Sequence, residues 1–368
     1  MLIKKTRSLC PLCHLAIDAE IVEEEGKVWL NSSCPEHGNF HNLYWSDPAL
    51  YHRFEQYDTV GKGIANPQNV VSSGICPSSC GLCENHHSQT LLANIDLTNR
   101  CNLDCDFCFA NARACGFVYE PCFDDIVRMM SVLRDEKPLP APAVQFSGGE
   151  PTMREDLVEI IIKAKEMGFP QVQIASNGVR IAQESGYAQK LKDSGLNTVY
   201  LHFDGVTPET NPLLKIHKKA IENLKSVRLG TVLVPTIIRG KNDTEVGNII
   251  RFAIKNVSVI RGVNFQPIAF TGAATDDDVK NSRITIPDIL DGIEEQMQGI
   301  LKKDDFYPVP CVIPFSELVE AYTGKPQIKF TAHQHCGAAT YVFVQNDGSV
   351  IPVNRMVDVE KFFESIEQ

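Results

Sequence analysis

The chain has 368 residues, with 46 acidic against 35 basic side chains, a formal net charge of −11, and a make-up that is 43% hydrophobic and 22% charged. That is an ordinary globular mixture, long enough for two or three domains, and its acidic balance argues against nucleic-acid binding, which needs a basic face. No apolar run approaches the roughly 20 residues that span a bilayer, and the Met-Leu-Ile-Lys-Lys-Thr-Arg start lacks the apolar stretch of a signal peptide. A soluble, cytoplasmic protein is expected.

Residues 1–88 read as a loop-rich module dense in metal ligands. Cys10 and Cys13 form a C-x2-C pair, Cys34 opens Cys-Pro-Glu-His37, and Cys76, Cys80 and Cys83 form C-x3-C-x2-C. Ala19–Glu23 and Lys27–Leu30, around Glu24-Glu25-Gly26, read as a hairpin. So small a module has little core of its own, and metal is expected to stabilise it.

From Leu91 the pattern becomes alternating strands and helices. The short β-rich runs are Leu91–Leu97, Ala143–Phe146, Gln171–Ala175, Thr198–Phe203, Gly230–Thr236 and Gly262–Ile268. Helical patterns lie between them at Asp124–Glu136, Glu155–Met167, Ala188–Lys192, Ile216–Ser226 and Glu245–Lys255. Thr152-Met-Arg-Glu155 reads as a capping box. Six such repeats predict an α/β fold built on a parallel, barrel-like sheet over residues 89–270. Residues 271–368 read as an α+β cap, with helices over Pro287–Lys302 and Pro314–Tyr322, the second expected to pack on the barrel. A hairpin of Tyr341–Gln345 and Ser349–Val353 turns at Asn346-Asp347-Gly348.

Thirteen cysteines in a reducing compartment do not predict disulfides; closely spaced ones read as metal or iron–sulfur ligands. Cys101, Cys105 and Cys108 repeat the C-x3-C-x2-C spacing directly after the first strand of the sheet. Three thiolates can hold three irons of a cubane and leave the fourth open, as a catalytic cluster requires. The next strand ends in Phe146-Ser147-Gly148-Gly149-Glu150-Pro151, the third in Ser176-Asn177-Gly178 and the fourth in His202-Phe-Asp204-Gly205. Chemistry in such sheets sits at the strands' C-terminal ends, so these tips are expected to build one pocket.

The triplet with Phe107 before its last cysteine, followed by Gly148-Gly149-Glu150-Pro151, resembles the radical S-adenosylmethionine (SAM) enzymes over roughly Leu91–Phe270. The resemblance implies a partial (β/α)6 barrel and a [4Fe-4S] cluster on Cys101, Cys105 and Cys108 whose open iron chelates SAM. It implies reductive cleavage of SAM to a 5′-deoxyadenosyl radical that abstracts hydrogen from an unactivated carbon. It places Ser147, Gly148, Gly149 and Glu150 around the methionine part, Ser176 and Asn177 near the ribose, and Phe107 near the adenine. Asn264 and Gln266 fall on the adenine-side strand, and Asp204 at the barrel rim is a further candidate contact. A low-potential electron donor such as a ferredoxin is implied as partner.

Cys10-Pro-Leu-Cys13 and Cys34-Pro-Glu-His37 resemble the knuckles of a rubredoxin or zinc ribbon, with His37 or another cysteine as fourth ligand to one iron or zinc. Cys76, Cys80 and Cys83 suggest an auxiliary cluster whose fourth ligand could be Cys115, Cys122, Cys311 or Cys336, with Cys336 preferred. Ten cysteines remain outside the SAM triplet, two short of the twelve that two auxiliary [4Fe-4S] clusters and a four-cysteine iron would take, so some ligands must be non-cysteine or one site incomplete.

Taken together with Cys80-Gly-Leu-Cys83-Glu-Asn-His, Arg261-Gly-Val-Asn264-Phe-Gln266-Pro and His335-Cys336-Gly337, these motifs are similar to the archaeal tetraether lipid synthases, formerly described as pterin-modifying radical SAM methylases. That resemblance implies one or two auxiliary [4Fe-4S] clusters and radical coupling of two phytanyl methyl ends. It also implies a diphytanyl glycerol lipid as substrate, with peripheral membrane contact following from it. The alternatives are a radical SAM methylase or modifier of a pterin or other small molecule, a peptide maturase, for which no peptide-binding domain is visible, and a purely structural zinc module. A lipid site calls for a long apolar tunnel, a pterin site for a compact pocket with paired polar groups.

Overall fold

The computed structural model describes residues 1–67, 86–108, 116–270 and 281–367. The N-terminal residues form an antiparallel sheet in chain order, β1 (Leu2–Leu9), β2 (Ala16–Glu24), β3 (Lys27–Cys34) and β4 (Gly38–Trp45). The hairpin expected there is its centre. Glu25 and Gly26 both adopt positive φ, 50° and 69°, as a type I′ turn requires when it matches the twist of the strands it joins. Helix α1 (Pro48–Glu55) follows, started by Asp47, whose carboxylate accepts the Leu50 N–H at 3.0 Å.

Strands and helices then alternate: β5 (Leu92–Thr98), α2 (Phe123–Arg134), β6 (Ala143–Gly148), α3 (Leu157–Glu166), β7 (Gln171–Ser176), α4 (Val179–Gln183), α5 (Tyr187–Asp193), β8 (Thr198–His202), α6 (Leu214–Ser226), β9 (Gly230–Val234), β10 (Thr236–Ile237), α7 (Val246–Lys255), β11 (Ile260–Val263) and β12 (Gln266–Pro267). Six of these strands make one parallel sheet in the order β11-β9-β8-β7-β6-β5, the core of a partial α/β barrel. Val144, Phe146, Val172, Ile174, Val199 and Leu201 are fully buried along it at every second position, the face that the helices cover, and alternate with partly exposed residues such as Gln145 and Tyr200.

Three sequence expectations need correction. The sixth strand is Ile260–Val263, and Gln266–Pro267 instead pairs with β10 in a separate two-stranded ladder. The helical pattern at Ala188–Lys192 is α5, but a further short helix that was not expected, α4, precedes it, and each is started by a left-handed glycine, Gly178 or Gly186. The capping box at Thr152 is absent. Pro151–Met153 is a single 3₁₀ turn capped by Glu150, and Asp156 precedes α3.

The C-terminal part carries α8 (Ile286–Gln296), β13 (Tyr307–Pro308), α9 (Ile313–Thr323), β14 (Ala338–Ala339), β15 (Val342–Val344), β16 (Val350–Pro352) and α10 (Val359–Glu367). The β15–β16 hairpin closes over Asn346-Asp347-Gly348. Helix α8 stops six residues short of Lys302, where Gln298 and Gly299 turn left-handed. Helix α9 does not pack on the barrel as expected: Ile313 is its buried residue, while Phe315, Leu318 and Tyr322 are exposed. No helix among the described residues is long and apolar enough to cross a membrane.

A second core joins the two ends of the chain. Ile21, Val28, Trp45, Tyr51 and Phe54 pack with Val246, Ile284, Ile289, Leu290 and Ile293. The N-terminal module thus has more apolar support than its composition suggests.

Candidate active site and metal centre

Strand β5 runs straight into the cysteine loop, and the tip of β6 pins that loop from the side. Gly149 N donates to Thr98 O at 2.7 Å, and Glu150 N to Arg100 O at 2.8 Å. A Cβ on Gly148, whose φ is +127°, would fall 2.2 Å from Thr98 O, and one on Gly149 2.3 Å from Arg100 O. Glycine is required at both because two backbones touch there.

Glu150 is 1% exposed. One carboxylate oxygen accepts the Thr152 N–H at 3.1 Å, the Thr152 hydroxyl at 2.5 Å and the Ser176 hydroxyl at 2.8 Å. The other accepts the Asn177 N–H at 2.7 Å. Burial pushes its pKa above the usual carboxylate range, against these hydrogen bonds, which favour the ionised form. Asn177 in turn donates its amide to Asn102 Oδ1 at 2.7 Å. The tips of β6 and β7 and the cysteine loop are therefore one hydrogen-bonded unit, with Glu150 as its hub. Ser147, one residue before Gly148, donates its hydroxyl to Asp96 at 2.7 Å.

At the tip of β8, Asp204 accepts the Thr236 N–H at 2.8 Å and pairs with His202 Nε2 at 2.8 Å. Burial disfavours the charged imidazole, but the Asp204 hydrogen bond and charge outweigh it and raise the His202 pKa. Asn242, 4% exposed, donates to Asp204 O at 2.9 Å and Thr236 O at 2.8 Å and accepts the Ile238 N–H at 2.8 Å, locking the loop after β10 onto the tip of β8.

Over these tips lies a cavity of about 430 Å³. Cys105 and Phe107 form one wall, His202, Asp204 and His217 another, and Glu209–Leu213 with Lys241 and Asn242 the rim. Lys241 Nζ sits 4.2 Å from the centre of the Phe107 ring. Asn264 and Gln266 lie outside this lining with exposed side chains. His217, Lys241 and the 209–213 loop carried no motif; the one local signal was a histidine facing inward on a helix whose pattern was otherwise legible.

The donor chemistry of the cysteine loop fits a cationic cluster. The Cys105 thiol is pushed up to about 11 by partial desolvation and by the negative charge of Cys101, Cys108, Asp204 and Asp106. Sulfurs so placed stay thiolates together only around a compensating cation.

The second metal centre lies at one end of the N-terminal sheet, where the β1–β2 and β3–β4 turns meet. The ligand atoms of Cys10, Cys13, Cys34 and His37 all lie within 4.8 Å of one another. Cys13 and Cys34 sulfurs are 3.9 Å apart, and His37 Nδ1 is 3.4 Å from Cys34 Sγ and 3.6 Å from Cys10 Sγ. Tetrahedral zinc would set about 3.8 Å between sulfurs and about 3.5 Å from sulfur to nitrogen, given Zn–S near 2.3 Å and Zn–N near 2.0–2.1 Å. Burial opposes the Cys10 thiolate, yet hydrogen bonds with the Cys13 and Leu12 backbone bring its pKa down to about 7. The donor set fits zinc.

Cys76, Cys80, Cys83 and Cys115 lie outside the described residues. Cys336 is exposed. His335 beside it is buried and stacks on Tyr51 at 3.9 Å. Cys122 caps α2 through Asp125, and Cys311 lies in the turn before α9.

Residues 95–253 match the model of the radical SAM superfamily, and residues 2–46 that of the HMPTM N-terminal zinc ribbon domain. The 7,8-dihydro-6-hydroxymethylpterin dimethyltransferase of Methanocaldococcus jannaschii is 51% identical over 372 residues, covering 99% of this chain and 73% of that protein. The GTP 3′,8-cyclase of Aquifex aeolicus is 28% identical over 231 residues, 59% of this chain and 66% of that one. Among solved structures, HydG, a maturase of the [FeFe]-hydrogenase, aligns over 58% of this chain and 51% of its own with a TM-score of 0.44 and 12% identity.

These findings overturn the lipid reading. The near-full-length relative is a pterin dimethyltransferase, so the resemblance to tetraether lipid synthases, the coupling of phytanyl chains and the diphytanyl glycerol lipid substrate are all withdrawn. The cavity agrees in kind, being compact and rimmed by histidine, carboxylate, amide and lysine side chains.

Proposed function

The chain belongs to the radical SAM family of the 7,8-dihydro-6-hydroxymethylpterin dimethyltransferase, and on that premise we propose that it methylates a pterin-like heterocycle seated in the cavity above Cys105. The observation that carries this reading is the 51% identity along nearly the whole chain. With its cluster and SAM bound, such a site would supply a 5′-deoxyadenosyl radical for abstracting hydrogen from carbon, fed by a low-potential electron donor, while the methyl carbon would come from a separate one-carbon donor, since SAM cleaved this way leaves as methionine.

The protein's own residues do the rest. Cys101, Cys105 and Cys108 hold the cluster. Gly148 and Gly149 let the β6 tip lie flat against the cysteine loop, with the Gly149 N–H held by Thr98 O. Glu150 acts by fixing Ser176 and Asn177 in place, since its four hydrogen bonds leave it no open face. Phe107 and Lys241 form the wall nearest the cluster loop. Asp204 orients His202 toward the cavity and excludes its other tautomer from that contact. The N-terminal zinc is structural, because its ligands are closed around one point at the far end of a sheet.

The test is to incubate the anaerobically reconstituted protein with SAM, a low-potential reductant, a methyl or methylene donor and 7,8-dihydro-6-hydroxymethylpterin. Pterin-dependent 5′-deoxyadenosine and a pterin carrying one or two added methyl groups are expected by mass spectrometry. SAM cleavage indifferent to the pterin, with the pterin recovered unchanged, rejects the reading.

A further inference from the structure

We infer that His217 is a recognition residue for the heterocyclic substrate, a buried imidazole whose missing hydrogen-bond partner is the ligand's ring edge. The inference rests on the proposed pterin reading and adds to it the group that reads the substrate. His217 is 0% exposed and stands one turn into α6, directly after the 209–213 loop that rims the cavity it also lines. Neither Nδ1 nor Nε2 meets a hydrogen-bond partner among the described residues; the Asn177 backbone approaches without forming a proper hydrogen bond.

Buried polar groups are normally paired, so an unpaired one calls for an explanation. A charged role does not supply it. Burial, with His202 edge-on at 6.0 Å, brings the His217 pKa down to about 4, so the ring is neutral and offers one donor and one acceptor. A packing role does not need the nitrogens either, because the ring's neighbour there is the apolar Phe203, tilted at 41° with ring centres 5.8 Å apart. The available carboxylate, Asp204, is already spent on His202 and the Thr236 N–H. What remains unpaired points to a planar nitrogen heterocycle, whose N–H and carbonyl edge supplies the absent partner from the cavity side.

The test compares wild type, His217→Phe and His217→Gln as cluster-loaded proteins with zinc in place. Phenylalanine keeps a planar ring and removes both nitrogens; glutamine restores one donor and one acceptor. Equilibrium dialysis with 7,8-dihydro-6-hydroxymethylpterin should show about tenfold weaker binding in H217F, the scale of one hydrogen bond, partly recovered in H217Q. SAM affinity, cluster absorbance and the thermal midpoint should stay at wild-type values or, for the midpoint, rise. Pterin binding unchanged in H217F overturns the inference alone, as does loss of pterin and SAM binding together. If H217F does not hold its cluster, His217→Leu takes its place, with the same weakened pterin binding expected, and wild-type binding there rejects the assignment. A wild type that binds no pterin overturns both the inference and the reading beneath it.

Discussion

Gly149 shows how little room the cluster loop has. Its N–H bonds Thr98 O while a Cβ would strike Arg100 O at 2.3 Å, backbone against backbone, with no flexible side chain to yield. Gly149→Ala should therefore displace the cysteine loop at a cost of about 1–3 kcal/mol, seen as reduced iron after reconstitution and lost SAM cleavage. Iron content at the wild-type level would show that the loop can move aside. Glu136 is a different case, 1% exposed with one hydrogen bond, from the Thr90 hydroxyl at 2.8 Å. Burial raises its pKa above the ordinary 4.5. A carboxyl raised in the folded state contributes stability that is complete below its unfolded pKa and is lost as pH rises through the folded one. Glu136→Gln keeps the acceptor and discards the charge, so its thermal midpoint should fall less than wild type's as pH rises above the ordinary 4.5. Parallel curves would mean that Glu136 is ionised without penalty.

At the scale of elements, two turns of the N-terminal sheet bring together the ligands for one metal. Cys10 and Cys13 occupy the β1–β2 turn, Cys34 and His37 the β3–β4 turn, and the strands between them are paired residue by residue from Leu9↔Ala16 to Cys34↔Gly38. The opposite end of the sheet instead enters the second core through Val28 and Trp45. His37→Ala should strip zinc, measured by elemental analysis, and open both turns to protease, while the iron–sulfur absorbance survives. Loss of the cluster with the zinc would join the two centres more closely than the sheet does. These knuckles were legible because their ligands lie three residues apart, as were the parallel strands, whose short β-rich runs alternate between a fully buried face and a more open one. The short helix α4, the end of β11 and the exposed face of α9 were not, since each depends on what packs against it. His217 and Lys241 are further from reach still: one lies on a helix and the other after β10, and only the folded sheet brings them to one cavity. The substrate class escaped for a related reason. Cysteine motifs report the cofactor, while the substrate is chosen by a wall built from dispersed residues.

Across the whole molecule, the two chain ends are one folding unit beside the barrel. Ser46 meets Thr285 hydroxyl to hydroxyl at 2.8 Å, Lys303 bonds Asp47 at 2.6 Å, and Arg283 donates to Leu43 O at 3.2 Å, around the apolar contacts of α1 with α8. Trp45 is central to this junction: 2% exposed, it packs edge-on against Tyr51, Phe54 and His335, with ring centres 6.2, 5.8 and 4.8 Å away. Truncating such a side chain costs about 3–5 kcal/mol. The barrel core of Val144, Ile174, Val199 and Leu201 shares none of these residues. Trp45→Ala should accordingly raise amide exchange in β4, α1 and α8 and around His335, with β6 to β8 still protected. Exchange that rises uniformly through the parallel sheet would instead make the two cores a single cooperative unit, because the loss would then be transmitted through α7, whose Val246 lies in one core and Ile249 in the other.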